Sequence, residues 1–357
     1  MRAAQLLLST IMTNAGRVRA IHIVKPGRSD RVFELRDVSP VSLAKGELRV
    51  RVRAAGVNFA DLLARQGIYP EAPPFPCVVG YEVAGVVEAV GSDADEAWLG
   101  KEVLALTDFG GYAESVRVDK RFVWEKPAVL SFEEAAAIPL NYVTAWGLLV
   151  AMGGLCSDET VLIHNVGGGV GLAALEVARH IGARTLGTAH PRKHDFLRGR
   201  GLGHTIDNTK ADWPQEVMHH SGGKGVDLAI DPIGGAHWKK TVAVLRPAGR
   251  LGMFGISSAA NGAGIRAKLG LLGLLVSSPL FHAGNLIPKN RGVFGLNIHS
   301  LYSEPEKLDK WMQQVLVGVN EGWISPHIDK VFRFEGVGAA HAHIEARGNI
   351  GKVLLVP

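Results

Sequence analysis

The residues best suited to chemistry sit in one short loop. Asn165-Val166-Gly167-Gly168-Gly169-Val170-Gly171 follows the apolar run Val161-Leu162-Ile163-His164 and leads at once into Leu172 to Ile181, which has helical spacing. The register is V-x-G-x-x-G, with Val166 at the first fingerprint position and Gly168 and Gly171 at the other two. A missing side chain at the middle position lets backbone approach a pyrophosphate, and one at the last lets the helix pack tightly on the sheet. Unpaired N–H groups at the helix start then face the phosphates. A glycine loop alone could be no more than a tight turn. The strand before it, the helix after it and the surrounding series of βα units favour a dinucleotide site.

The next strand end tells the nicotinamide cofactors apart. A site for NAD usually carries Asp or Glu about twenty residues beyond the glycines, on the ribose hydroxyls. Here that stretch is Gly187-Thr188-Ala189-His190-Pro191-Arg192-Lys193-His194, with two cations and no acid. A ribose phosphate would be repelled by an acid and held by Lys193 or Arg192. The pattern therefore favours NADPH over NADH. Arg198 and Arg200 read as loop decoration.

These loops need a sheet to hold them. From Thr160 the chain alternates strand and helix: 161–164, 172–181, 184–187, 226–230, 250–254 and a last strand at 292–296. That alternation implies a parallel sheet covered on both faces. The first third reads as β. Glu47 to Arg53 alternates strictly, with Leu48, Val50 and Val52 on one face and three arginines on a solvated one. Val78 to Val87, Val103 to Leu106 and Ser115 to Val118 continue the β signal. Ser131-Phe132-Glu133-Glu134 is a capped helix start. A helix at 305–321, a strand at 330–334, a helix at 337–346 and a strand at 352–356 close the chain. The expected organisation is an extension over 1–16, a β-rich domain made of 17–138 and 299–357, and a dinucleotide domain over 139–298.

Composition sets limits. The 357 residues are 47% hydrophobic and 20% charged, which is globular and long enough for two cores. A net charge of +5 with scattered basic residues lacks the concentrated face of a nucleic-acid binder. Cys77 and Cys156 cannot make a disulfide framework or a four-cysteine metal site. Both read as small buried hydrophobes in a cytoplasmic protein. Leu6 to Met12 is a poor export signal and reads as part of a disordered extension. Leu269 to Phe281 is apolar but too short to span a bilayer. It reads as buried or cavity-lining, with a membrane-surface patch as the second reading.

Several segments together resemble the medium-chain dehydrogenase/reductase superfamily, in its zinc-independent quinone oxidoreductase branch and closest to the vesicle amine transport protein-like group. They are Ala55-Gly56-Val57-Asn58-Phe59-Ala60-Asp61, Arg65-Gln66-Gly67-Ile68-Tyr69, Pro139-Leu140-Asn141-Tyr142-Val143-Thr144-Ala145, the glycine turn, Gly187-Thr188-Ala189, Lys193-His194 and Asn349-Ile350-Gly351-Lys352-Val353-Leu354-Leu355-Val356-Pro357. The resemblance runs from about Val18 to Pro357. It implies an α/β fold: a GroES-like β-rich domain plus a Rossmann domain with a doubly wound parallel sheet, and an active site in the cleft between them.

It also implies roles. Alcohol dehydrogenases of this superfamily hold catalytic zinc through a Cys and a His; the matching residues here are Asn58 and Tyr81, which supply neither thiolate nor imidazole. His219-His220 and His341-Ala342-His343 lack partner cysteines and read as surface or helix residues, so no metal is expected. Without zinc, alcohol oxidation loses its Lewis acid, whereas a quinone or α,β-unsaturated carbonyl accepts hydride with one or two hydrogen-bond donors on its oxygen. Asn58 and Tyr69 then stand near the nicotinamide and substrate, with Tyr69 either a donor or a packed loop aromatic. Cofactor contacts carry over to Asn58, Thr144, Gly168, Gly169, Val170, Thr188, His190, Lys193, Phe254, Gly255, Ile256, Phe294, Gly295, Leu296 and Asn349. Asn208 replaces a tyrosine usual beside the adenosine phosphate. The partner expected is a small quinone or enone, with a homodimer formed along the strand near Val293. An NADPH-binding protein with little turnover, acting at membranes or as a regulator, and an enoyl reductase related to polyketide synthases are the competing functions.

Overall fold

The computed structural model describes residues 16–259 and 264–357. The extension expected over 1–16 lies, apart from Gly16, outside them. Two large sheets organise the chain. In the N-terminal part, β1 (Val18–Ile23) and β2 (Phe33–Val38) form a hairpin-like pair. The long β3 (Glu47–Val57) buries Leu48, Val50 and Val52 and turns its arginines outward, as its alternation requires. It pairs antiparallel with β4 (Glu82–Val90), and register shifts after Arg49 and Val52 bend the ladder. β5 (Glu102–Leu106), β6 (Ser115–Asp119) and β7 (Val123–Glu125) extend this sheet.

The chain then crosses to the second sheet. A capping box at Ser131 and Glu134 starts the short helix Phe132–Ala136, and Pro139–Trp146 follows. β8 (Thr160–His164), β9 (Arg184–Ala189), β10 (His204–Asp207), β11 (Val226–Asp231), β12 (Leu245–Met253) and β13 (Gly292–Gly295) pair in parallel in the order β10-β9-β8-β11-β12-β13. Strand order reverses beside β8, so loops on either side of it part and leave a crevice at the carboxyl ends. β8 itself is buried along its whole length.

The C-terminal tail returns to the first sheet. After the helix Pro305–Asn320, β14 (Ile328–Arg333) and β15 (Lys352–Val356) join it, with β15 antiparallel to β3. The fold is α/β, with a GroES-like sheet and a doubly wound parallel sheet.

Some local expectations fail. Cys77 is buried, but Cys156 is exposed in the loop before β8. Arg200 is not decoration: it pairs with the buried Glu176 and donates to Ser325 O at 2.7 Å. Glu176 also accepts from Tyr142 Oη at 2.7 Å, so burying this carboxylate satisfies three donors. The segment 269–281 is not buried as a whole: Leu269, Leu272, Leu275, Val276 and Leu280 are exposed.

Candidate active site

A cleft of about 1400 Å³ is lined by residues from both sheets' loops. The glycine turn forms one wall. Asn165 adopts a left-handed φ of 53° and its carbonyl accepts from Gly168 N at 2.9 Å, closing the turn. Gly168 is the extended N-cap of the helix Gly169–Ile181. A Cβ on Gly171 would stand 2.5 Å from Asn165 O, and one on Gly169 would stand 2.6 Å from Asn141 Nδ2. At Gly168 the nearest atom would be 3.4 Å away. Gly171 and Gly169 are therefore required by packing within the protein, whereas the space beside Gly168 opens into the cleft. Such a cradle, at the start of a helix of 13 residues, fits a diphosphate.

Cations gather beyond β9. His190, Arg192 and Lys193 line the cleft with Asn208, Thr209 and Arg347. Lys193 is 8% exposed and its Nζ donates to Asn349 O. Burial, and then the neighbouring Arg192, pull its ammonium down to about 8. Glu71 is the one carboxylate among the described lining residues, and it sits at the tyrosine end. The tail clamps the turn: Gly351 N donates to Gly167 O at 2.9 Å.

At the other end lies a buried network built on Asn58, Glu82 and Lys352. Asn58 Nδ2 donates to Glu82 Oε1 at 2.9 Å, and Lys352 Nζ donates to Asn58 Oδ1 at 2.6 Å and to Glu82. Glu82 Oε2 accepts from Leu140 N at 2.7 Å. Asn58 N and Gly80 N donate to Asp61, whose carboxyl burial pushes up to about 7. Next to Asn58 and Glu82 the donor set is thus a carboxamide, a phenol and a carboxylate already paired with an ammonium. It does not fit zinc.

Tyr69, Tyr81 and Tyr302 line the same end. Tyr69 and Tyr81 meet edge to face at 6.0 Å between ring centroids. Burial pushes the Tyr69 phenol up to about 12, so it is a neutral donor at any ordinary pH. The Tyr81 hydroxyl is buried; it interacts with that of Tyr69 without reaching good hydrogen-bond geometry.

The cleft brings together Asn58, Tyr69, Thr144, Gly168, Gly169, Val170, His190, Lys193, Phe254, Gly255, Ile256, Gly295, Leu296 and Asn349. Thr188 and Phe294 are not among its lining residues. Thr188 is buried, with its hydroxyl 3.0 Å from His164 Nδ1, and the Phe294 ring packs over Gly252. Sequence reasoning missed Glu82 and Lys352 as a pair, and Asn141 and Arg347. Glu82 was visible beside Tyr81, but nothing in the sequence joins it to a lysine 270 positions away.

Away from the tyrosines, His164, Asp231 and His237 bring potential metal-ligand atoms within 4.8 Å of one another. They are already engaged. Asp231 Oδ2 is 2.7 Å from both His237 Nδ1 and Thr241 Oγ1, and His164 Nε2 is 3.2 Å from Thr241 Oγ1. Burial brings His164 down to about 3, so it is neutral here. His341, expected on the surface or in a helix, is helical and fully buried against Tyr112.

Comparison with known proteins fits this geometry. Residues 44–128 match the alcohol dehydrogenase GroES-like domain family and residues 200–355 the zinc-binding dehydrogenase family. The human synaptic vesicle membrane protein VAT-1 homolog is 36% identical over 342 residues, covering 95% of this chain and 86% of that protein. Human quinone oxidoreductase is 28% identical, covering 95% and 98%. The crystal structure of Escherichia coli quinone oxidoreductase complexed with NADPH superposes with a TM-score of 0.83 at 27% identity, covering 95% of this chain and all of that one. The chain belongs to the medium-chain dehydrogenase/reductase superfamily of oxidoreductases, in the group that holds the VAT-1 homologs and quinone oxidoreductases.

Proposed function

We propose that the protein is a zinc-independent, NADPH-dependent oxidoreductase that reduces a quinone or an α,β-unsaturated carbonyl compound. The observation that carries this is the pairing of a phosphate cradle rich in cations with a reaction end that holds an ammonium–carboxylate pair where a catalytic metal would need ligands. The relative solved with NADPH supports the cofactor.

When bound, the cofactor supplies a hydride. The chain does the rest. Gly168 and the backbone at the helix start take the pyrophosphate, with Gly169 and Val170 beside it. Lys193 and His190 meet the ribose phosphate, and Asn349 supports Lys193 through its carbonyl. Thr144, Phe254, Gly255, Ile256, Gly295 and Leu296 flank the nicotinamide end. Asn58 is oriented by Lys352 and Glu82, so its amide cannot rotate freely. Tyr69 donates a hydrogen bond to the substrate oxygen as negative charge gathers there. Two copies pair along β13, the edge strand of the parallel sheet. The two cysteines suit a reducing cytoplasm.

The test is NADPH oxidation with 1,4-naphthoquinone and 2-cyclohexen-1-one, with NADH and a zinc chelator in parallel. Turnover with NADPH, unaffected by the chelator and much weaker with NADH, is expected. Tight NADPH binding without turnover on any acceptor would favour instead a binding protein that acts at membranes, a reading that the exposed leucines of 269–280 support.

A further inference from the structure

Four polar side chains meet where β8 and β11 end, outside the Asn58 and Tyr69 end of the cleft. His164 closes β8 and Asp231 closes β11, strands that lie side by side. His237 and Thr241 stand four positions apart on the helix Ala236–Ala243, so they share one face. His164, Asp231 and Thr241 are buried, and the His237 side chain is 19% exposed. Among the described residues this is the one group of three or more His, Cys, Asp or Glu whose ligand atoms converge. His164, Pro232 and Trp238 open it to the cleft.

The spacing is that of a small coordination shell. Bonds of about 2.0–2.1 Å to a tetrahedral ion put its ligand atoms roughly 3.3 Å apart. Thr241 Oγ1 stands 2.7 Å from Asp231 Oδ2, 3.2 Å from His164 Nε2 and 3.4 Å from His237 Nδ1. Asp231 Oδ2 and His237 Nδ1 are 2.7 Å apart. Oxygen ligands alone would suit calcium or magnesium; two imidazoles with one carboxylate suit zinc and its neighbours.

Protonation and orientation fit as well. His164 is neutral, and Asp231 stays at about 2 despite its burial, with His164 and His237 beside it and Thr241 donating to it. Thr188 Oγ1 lies 3.0 Å from His164 Nδ1; with the ring's proton there, the Nε2 lone pair faces the cluster. Ile233 N donates to the other Asp231 oxygen at 2.7 Å. Trp213 stacks on the His237 ring at 5.0 Å between centroids and meets the His164 ring edge-on at 4.8 Å, which fixes both. The hydrogen bonds that join the four side chains point inward, as metal bonds would. An ion replaces them once His237 moves its proton from Nδ1 to Nε2. We propose that His164, Asp231 and His237, with Thr241 at the fourth corner, bind one divalent ion of the zinc type, which braces the helix Ala236–Ala243 against the ends of β8 and β11. This ion stands apart from hydride transfer and supplies nothing to it.

Calorimetric titration of the chelator-stripped protein with zinc, and with magnesium in parallel, tests the site. One zinc per chain is expected, with a raised melting temperature and no response to magnesium. His237→Gln keeps a donor toward Asp231 but loses the imidazole, so zinc should bind roughly tenfold more weakly or worse and its thermal shift should vanish. Cobalt reads the site in the unaltered chain, which keeps the test valid if the variant fails to fold. The strong visible bands of four-coordinate cobalt are expected, erased by one equivalent of zinc. His204 and His219 both pack on His220 elsewhere on the parallel-sheet domain and are the competing ligands. Zinc binding unchanged in His237→Gln, or abolished in His219→Gln/His220→Gln, would overturn the proposal. So would the absence of binding, or only the weak bands of six-coordinate cobalt.

Discussion

Lys193 holds its charge where charge is costly. It is almost wholly buried, its Nζ leans on a backbone carbonyl, and Arg192 stands near it. Burial therefore brings its pKa to about 8. A ribose phosphate would return an opposite charge to that site and favour the protonated form. Binding then requires a proton on Lys193, which the free protein loses as pH rises through 8. NADPH affinity should hold from pH 6 to 8 and decline by up to tenfold per unit above it, whereas NADH affinity stays nearly flat. A charge-assisted hydrogen bond is worth about 1.5–3 kcal/mol, so Lys193→Met should weaken NADPH roughly 10- to 100-fold and leave NADH unchanged. Fluorescence titration at pH 7 and 9.5 checks both; equal losses for the two cofactors would remove Lys193 from the phosphate site.

At the scale of elements, the glycine turn separates two kinds of necessity. Gly171→Ala puts a methyl 2.5 Å from Asn165 O, inside the strand–helix junction. Such overpacking costs about 1–3 kcal/mol, so urea unfolding should shift. Gly168→Ala meets nothing closer than 3.4 Å and should leave the fold unchanged; it should weaken NADPH, since its methyl would enter the space proposed above for the pyrophosphate. Equal destabilisation by the two would show that the turn is only a turn. This loop and its flanks were legible because buried strand, glycines and helix are contiguous. β8, β11 and β15 are short apolar runs with clear ends, and Ser131 announces its capping box. β10, His204–Asp207, is four mostly polar residues on the edge of the sheet and gives no periodic signal. The helix Ile265–Ser277 misleads for the opposite reason: its leucines promise burial, yet composition does not say which way a helix faces. Thr188 followed the family pattern into the phosphate pocket, but its hydroxyl turns inward to His164.

Across the whole molecule, contacts from the tail hold the two sheets to one cleft. Lys352 belongs to β15, pairs with Glu82 of β4 and reaches Asn58 at the end of β3. Glu82 also receives the N–H of Leu140, where the chain leaves for the parallel sheet. One residue earlier, Gly351 N is bonded to the glycine turn itself. No local pattern could have revealed this, because each partner comes from a different part of the chain. The ammonium and carboxylate are 3% and 0% exposed. Removing one member of a buried pair costs about 3–5 kcal/mol, because the other charge is left without compensation. Lys352→Met should therefore destabilise strongly and also lower NADPH affinity, as the tail loses its anchor beside the turn. Glu82→Gln in the same chain removes the stranded charge and should recover most of the stability. It should restore less of the activity, since Asn58 still lacks the ammonium that orients it. A double-mutant cycle by urea unfolding, with kcat and KM measured on each variant, separates the two effects. Additive stability losses would mean that Lys352 and Glu82 act independently, and the tail would then be only a strand of the sheet.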